Sequence, residues 1–295
     1  MSSAMPAPTR ILCALDFSAA GDGALTVARG TAERLDVPLA LVHVYETPWY
    51  AYPEIEIGGQ FGLGNPQEAE QWFRDKATRL LAERLDQLGE RASGEVLSDS
   101  PIHRAVATHG ESIGADLIVV GTHGRSAPGR YLLGSVAENL IRSATVPVIV
   151  VPEGGANRFA TGQRVVVATD FSEPARAGVR AACAFARGLA LPVELVHVED
   201  DDTTPSDPHF EESATLLGYE VEVAGAEGLE AHGHIRRGDP STVLTEYADE
   251  HDAGLLAIGT RGTRGLQRVL IGSVTDRVVR SSHVPVLVVP PVESR

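Results

Sequence analysis

One segment of this chain is written twice, and that repeat constrains the fold more than any other feature. Residues 10–46, RILCALDFSAAGDGALTVARGTAERLDVPLALVHVYE, align without a gap on residues 164–200, RVVVATDFSEPARAGVRAACAFARGLALPVELVHVED. The two share Arg10/Arg164, Asp16/Asp170, Phe17/Phe171, Ser18/Ser172, Pro38/Pro192 and the run LVHV. A second block, 118–151, matches 256–289. The first offset is 154 residues and the second 138, so the second copy is 16 residues shorter in its middle. A length of 295 residues also suits two domains. The expected division is 1–152 and 164–295, joined by a polar, Gly-containing linker over 153–163.

Within each copy, strand and helix signals alternate. Residues 10–15 are an apolar β-forming run. Ser18 stands at an N-cap position, before Leu25, Ala28, Ala32 and Leu35 at helical spacing. Pro38 opens the strand LALVHV. A helix is expected near 67–91 with Trp72, Leu80, Leu81, Leu85 and Leu88 on its apolar side. A strand near 94–98 and a helix near 102–113 follow, then a strand at 116–121, a helix near 134–143 and a last strand at 146–151. Strands separated by helices imply right-handed crossovers and parallel sheets. The predicted fold class is therefore α/β, with two tandem open five-stranded parallel sheets carrying helices on both faces. The second copy's middle is shorter and poorly patterned. An insert at 45–65 carries Trp49, Tyr50, Tyr52 and Phe61 among Pro and Gly, and reads as a loop packing on its own domain, or as a lid or partner surface.

Ligands of open parallel sheets sit beyond the carboxyl ends of the strands, and the polar motifs follow strands. Gly121-Thr-His-Gly124 precedes Gly134-Ser135, and Gly259-Thr-Arg-Gly262 precedes Gly272-Ser273, both at the spacing G-x2-G-x9-G-S. Glycines let backbone N–H groups approach an anion, and a helix opening at Gly134-Ser135 or Gly272-Ser273 offers free N–H groups and a favourable dipole to phosphate. Arg125, Arg130, Arg261, Arg264 and Arg268 lie in these loops and can balance phosphate charge. Asp16 and Asp170 end the first strand of each copy, where a carboxylate can accept from ribose hydroxyls, help hold a metal on the phosphates, or complement a helix start. His43 and His197 end the second strand without metal-ligand spacing around them, and read as packed or pocket-wall residues. His123 has Arg261 at its counterpart, so it is not essential to both loops.

Composition excludes several classes. A net charge of −15 lacks the basic footprint of a nucleic-acid surface and disfavours anionic membranes. Lys76 is the only lysine, so mechanisms needing a lysine nucleophile or a P-loop lysine have almost no candidate. Cys13 and Cys183 sit in apolar runs and read as buried thiols. No apolar run has membrane-span length, and the first residues lack a signal-peptide core, so a cytoplasmic location is the expectation.

Together, the DFS after the first strand, the LVHV strand, the glycine loop and the terminal VPVxVV strand resemble the universal stress protein family in its tandem-domain form, over about 10–152 and 164–290. The resemblance implies a Rossmann-like, adenine nucleotide alpha hydrolase-like fold and ATP as ligand, with any magnesium held through the phosphates. Carried over, Asp16 and Asp170 touch ribose, and the backbones of Val44 and Val198 read adenine beside Ala14 and Ala168. Gly121, Gly124, Gly134, Ser135 and Val136 hold phosphates in the first copy; Gly259, Gly262, Gly272, Ser273 and Val274 do so in the second. The last strands are expected to pair within the chain as a pseudo-dimer, with homodimerisation of the whole chain as a further option. The family often has Gly-x-Pro before the third helix. The second copy has Gly238-Asp-Pro240, whereas the first has Asp99-Ser-Pro101, so unequal sites are expected. The leading expectation is an ATP-binding stress-response regulator whose occupancy biases conformation or partners. The alternatives are a slow ATPase or nucleotidyl transferase, for which Asp16 is the only evident carboxylate and no Walker pattern exists, or an interaction module with empty pockets.

Overall fold

The structure is a computed structural model, and it describes residues 7–46, 66–122, 133–199, 201, 203–204, 207–260 and 271–291. The first half runs β1 (Ile11–Ala14), α1 (Ala19–Leu35), β2 (Leu39–Tyr45), α2 (Pro66–Asp86), β3 (Ala92–Ser98), α3 (Ile102–Ile113), β4 (Leu117–Gly121), α4 (Ser135–Ser143) and β5 (Val148–Val151). A helix α5 (Gly155–Thr161) connects it to the second half. That half runs β6 (Arg164–Ala168), α6 (Glu173–Gly188), β7 (Val193–Glu199), α7 (Pro208–Ala226), β8 (Ala231–Arg237), α8 (Pro240–Glu250), β9 (Ala253–Gly259), α9 (Ser273–Ser281) and β10 (Val286–Val289).

The two expected five-stranded sheets are one ten-stranded sheet, in the order β3-β2-β1-β4-β5-β10-β9-β6-β7-β8. Pairing within each half is parallel, and β5 meets β10 antiparallel, with Leu287 opposite Ile149. The two halves thus run in opposite senses, and their strand C-termini lie at opposite edges of the sheet. One face packs α1, α2, α5, α6 and α7 around Ile11, Leu41, Ile149, Leu195 and Leu287. The other packs α3, α4, α8 and α9 around Leu12, Val42, Val150, Leu256 and Val286. Burial on both faces explains why β1, β4, β5, β6 and β9 are nearly continuous aliphatic runs. Each fully buried Leu or Ile contributes about 1.5–3 kcal/mol.

Within the stretch 153–163, α5 buries Phe159 against Gly30 of α1, and Gly162 packs directly on Gly254. Three local expectations change. Helix α2 stops at Asp86 rather than 91, because Gly89 turns the chain with φ of 78°. Trp72 is 43% exposed, whereas Leu81 is buried as expected, together with Ala77. The second copy's middle keeps a full helix and strand in α7 and β8; its shortening falls mainly on the connection between them and β7, which spans 200–207 against 46–65 in the first half. The aromatic insert, apart from Tyr45 and Glu46, lies outside the described residues.

Both cysteines are buried, and burial pushes both thiols up, Cys183 to about 12. That agrees with a packing role, since a thiol held protonated is a poor nucleophile. No described helix is long and apolar enough to cross a membrane.

Candidate functional site

Each rim is built on the turn that follows the first strand of its half. In the first, Asp16 accepts from the Ser18 amide at 3.0 Å and the Ser18 hydroxyl at 2.6 Å, while Ser18 accepts in turn from the Gly21 amide and caps α1. Asp170, Ser172 and Ala175 repeat this at α6. Between carboxylate and cap, Phe17 and Phe171 adopt the left-handed region at φ of 58° and 60°. A bulky residue reaches that region only when its surroundings over-determine it. Against each phenylalanine lies the histidine of the LVHV run. His43 lies on Phe17 at 4.5 Å between centroids and bonds the Leu15 carbonyl; His197 lies on Phe171 at 4.3 Å and bonds the Thr169 carbonyl. These histidines therefore brace the carboxylate turn, as a packed-residue reading expects.

The sheet register then gathers the predicted residues. Ala14 pairs with both Val42 and Val120, so Ala14, Asp16, Val44 and Gly121 stand together at the C-terminal ends of β2, β1 and β4. Ala168, Asp170, Val198 and Gly259 occupy the matching ends of β7, β6 and β9. Gly121 has a packing duty as well, because a Cβ there would sit 2.9 Å from the Ala20 backbone of α1.

Past the fourth strand of each half, Gly134 and Gly272 are the N-caps of α4 and α9, with no side-chain cap bond, followed by Ser135, Val136 and by Ser273, Val274. Both N-caps hold negative φ, −66° and −59°. Any residue adopts such values, so the backbone conformation does not demand glycine; only the absence of a side chain is left to explain it. Gly124, Gly262 and the loop arginines lie outside the described residues.

Two residues of this rim were not singled out from sequence. Thr122 and Thr260 follow the first glycine of each loop and accept the Gly134 and Gly272 amides through their carbonyls at 2.6 and 2.8 Å. Both are buried, and among the described residues neither hydroxyl has a hydrogen-bond partner. The threonine kept in both G-T-x-G motifs was the available signal.

A cavity of about 310 Å³ opens beside the first rim on the α2 face. Asp16, Phe17, His43, Val44, Tyr45 and Glu46 line one wall, and Phe73, Lys76, Ala77 and Leu80 of α2 line the other. It joins Asp16 to Val44, two of the predicted contacts. Its size and mixed aromatic and polar lining are those of a small-molecule pocket.

The halves differ around this frame. Asp239 caps α8 through the Thr242 amide, and its bonds from Ser241 and Thr242 hold its carboxyl down at about 2. The corresponding α3 starts at Pro101 with no side-chain cap. Gly238, the extra glycine of the second half, has φ of 127° and needs to be glycine. In the second half, burial raises the Glu220 carboxyl; among the described residues, one of its oxygens accepts a 3.3 Å bond from Thr169 and the other is unbonded. Among the described residues, no group of three or more His, Cys, Asp or Glu side chains is placed to hold a metal.

Known proteins match this arrangement. The profile of the universal stress protein family matches residues 8–152 and 162–290. A universal stress protein of Mycolicibacterium smegmatis is 29% identical over 298 residues, covering 95% of this chain and 97% of that protein. One from Mycobacterium tuberculosis is 26% identical, covering 94% and 96%. The crystal structure of a universal stress protein from Archaeoglobus fulgidus superposes with a TM-score of 0.69 at 22% identity over 97% of each chain, which bears on the fold alone. With both of its halves matched and its length shared by tandem relatives, this chain belongs to the universal stress protein family.

Proposed function

We propose that the chain is an adenine-nucleotide-binding regulator with one site at each rim, and that ATP is its ligand. The observation that carries this reading is the pair of buried, unbonded Thr122 and Thr260 hydroxyls at the base of two uncapped helix starts. A buried hydroxyl without a partner costs about 1–3 kcal/mol, and an anion at the helix start would satisfy it together with the free N–H groups of α4 or α9. Asp16 and Asp170 supply ribose acceptors, and the Val44 and Val198 backbones supply the base contacts. Gly124 and Gly262 belong to the same cradle in this reading, and magnesium would be held by the phosphates.

A regulator fits better than a fast ATPase. The Asp16 carboxylate holds its own turn through two bonds to Ser18, so it is a poor candidate for activating water. The antiparallel β5–β10 pairing supports reading the halves as a pseudo-dimer in one chain, in which each site would bias a shared sheet.

Isothermal titration with ATP, using the wild type, Gly134→Val and Gly272→Val, tests the assignment. Each variant is expected to lose one site and keep the other. Wild-type binding by both variants would remove the cradle from these helix starts.

A further inference from the structure

At matching positions, the helices that cover the two rims, α2 and α7, carry opposite charge, although Asp16 and Glu46 also line the first cavity. Gly94 of β3 is packed by Leu81 and Leu85 of α2, and Gly233 of β8 by Leu217 and Val221 of α7. These contacts set the register of the two helices, although the sequence blocks that repeat do not include them. In that register Lys76 corresponds to Glu212, Ala77 to Ser213, and Arg84 to Glu220; the strand register pairs Tyr45 with Glu199 and Leu15 with Thr169. The first half therefore has a cation on the cavity wall that faces Asp16, its ammonium 4.8 Å from the Trp72 ring. Behind it, Arg84 is paired to Asp22 of α1 at 3.0 Å. The second half has carboxylates at the matching places. Glu199 is bonded by the Ser213 hydroxyl and faces the His197 ring at 3.4 Å, Glu220 is buried by Thr169, and Glu212 stands at the lysine position.

We infer that Lys76 is the specificity-determining residue of the first half, making it the tighter receptor for a polyanionic nucleotide, while the acidic wall of the second half weakens that ligand. The inference rests on the nucleotide reading above. A ligand at Asp16 shares a cavity with Lys76, and charges in one cavity are screened less than exposed ones, for which the screening length at physiological salt is about 8 Å. The preference is electrostatic, so it scales with ligand charge. It is large for ATP, absent for uncharged adenosine, and it fades with salt.

Lys76 is the chain's only lysine, so it reports on its own half. Full-length protein is titrated with ATP and with adenosine at low and high salt. In parallel, amine-reactive labelling of Lys76 is followed by peptide mass spectrometry. Two ATP affinities are expected at low salt, separated about tenfold, equivalent to about 1.4 kcal/mol. The tighter one should coincide with protection of Lys76. Lys76→Glu should abolish the separation and Lys76→Gln should narrow it, with circular dichroism confirming the fold of each. Adenosine should show no separation. Equal ATP affinities, a tight site that leaves Lys76 unprotected, or a separation that survives in Lys76→Glu or with adenosine would overturn this inference alone. Failure of both ligands to bind would instead overturn the nucleotide reading, and this inference with it.

Discussion

The Nδ1 atom of His43 lies 2.6 Å from the carbonyl oxygen of Leu15, two strands' ends held together by one side chain. The same ring covers Phe17, whose left-handed backbone presents Asp16 at the rim. Removing the ring takes away the bond to Leu15 and an aromatic support of a strained residue. His43→Ala should cost about 1–3 kcal/mol, read as a lower urea midpoint, and should weaken nucleotide binding in the first half more than in the second. Unchanged stability and affinity would show that Phe17 is held by something else.

Gly121 is asked to serve two ends. It belongs to the glycine loop, yet its Cα faces the Ala20 backbone so closely that an added methyl would sit 2.9 Å from two backbone atoms. Gly121→Ala should destabilise the fold by about 1–3 kcal/mol through overpacking, with or without ligand. Chemical denaturation of the ligand-free protein checks this, and a full-strength midpoint would assign the glycine to ligand contact alone.

Glu194 stands at the far edge from its rim, accepting from Arg164 at 2.6 Å, and it meets His234 at 2.6 Å and Tyr247 at 3.4 Å. Burial alone would raise its carboxyl, but the His234 and Arg164 contacts outweigh burial and hold it below the ordinary glutamate range. A lowered folded value means this stabilisation is present above the ordinary range, near pH 4.3, and is lost as pH falls through the lowered value. Glu194→Gln should cost about 2 kcal/mol at neutral pH, because Arg164 loses its charged partner, and it should flatten the acid limb of stability against pH. A parallel acid limb in the variant would contradict this.

Glu220 behaves in the opposite sense. Burial raises its carboxyl, so its contribution is most favourable below the ordinary glutamate value and is lost as pH rises through the raised one. Glu220→Gln removes a charge that the fold hosts poorly, and should raise the thermal midpoint at pH 7, by about 1 kcal/mol in stability. The gain should vanish at low pH. A variant less stable than wild type at pH 7 would show that the charge is needed.

Much of this was legible before any coordinates. Aliphatic runs such as LIVVG at 117–121 announced strands buried on both faces, and Ser18 and Ser172 announced their helix starts, because these signals are local. The rim residues were legible because the repeat places them after equivalent strands. What was hidden depended on distant neighbours. Nothing near Phe17 in sequence announces a left-handed turn, and the ring that packs on it, His43, comes from another strand. The helical character of 155–161 was hidden by its glycines, and the ring of Phe159 packs on Gly30 of α1, far away in sequence. Trp72 is apolar at a helical spacing, yet it covers Lys76 instead of the sheet. The exchange of Lys76 for Glu212 falls in the region where the repeat has diverged, and only the packing of Gly94 and Gly233 restores the correspondence.

Native mass spectrometry of the intact chain, with and without saturating ATP, tests most directly whether two glycine-started helices receive polyphosphate. The expected spectrum carries one and then two ATP masses per chain, released together on heat unfolding. A folded chain that gains no nucleotide mass at any ATP concentration would contradict the reading at its root.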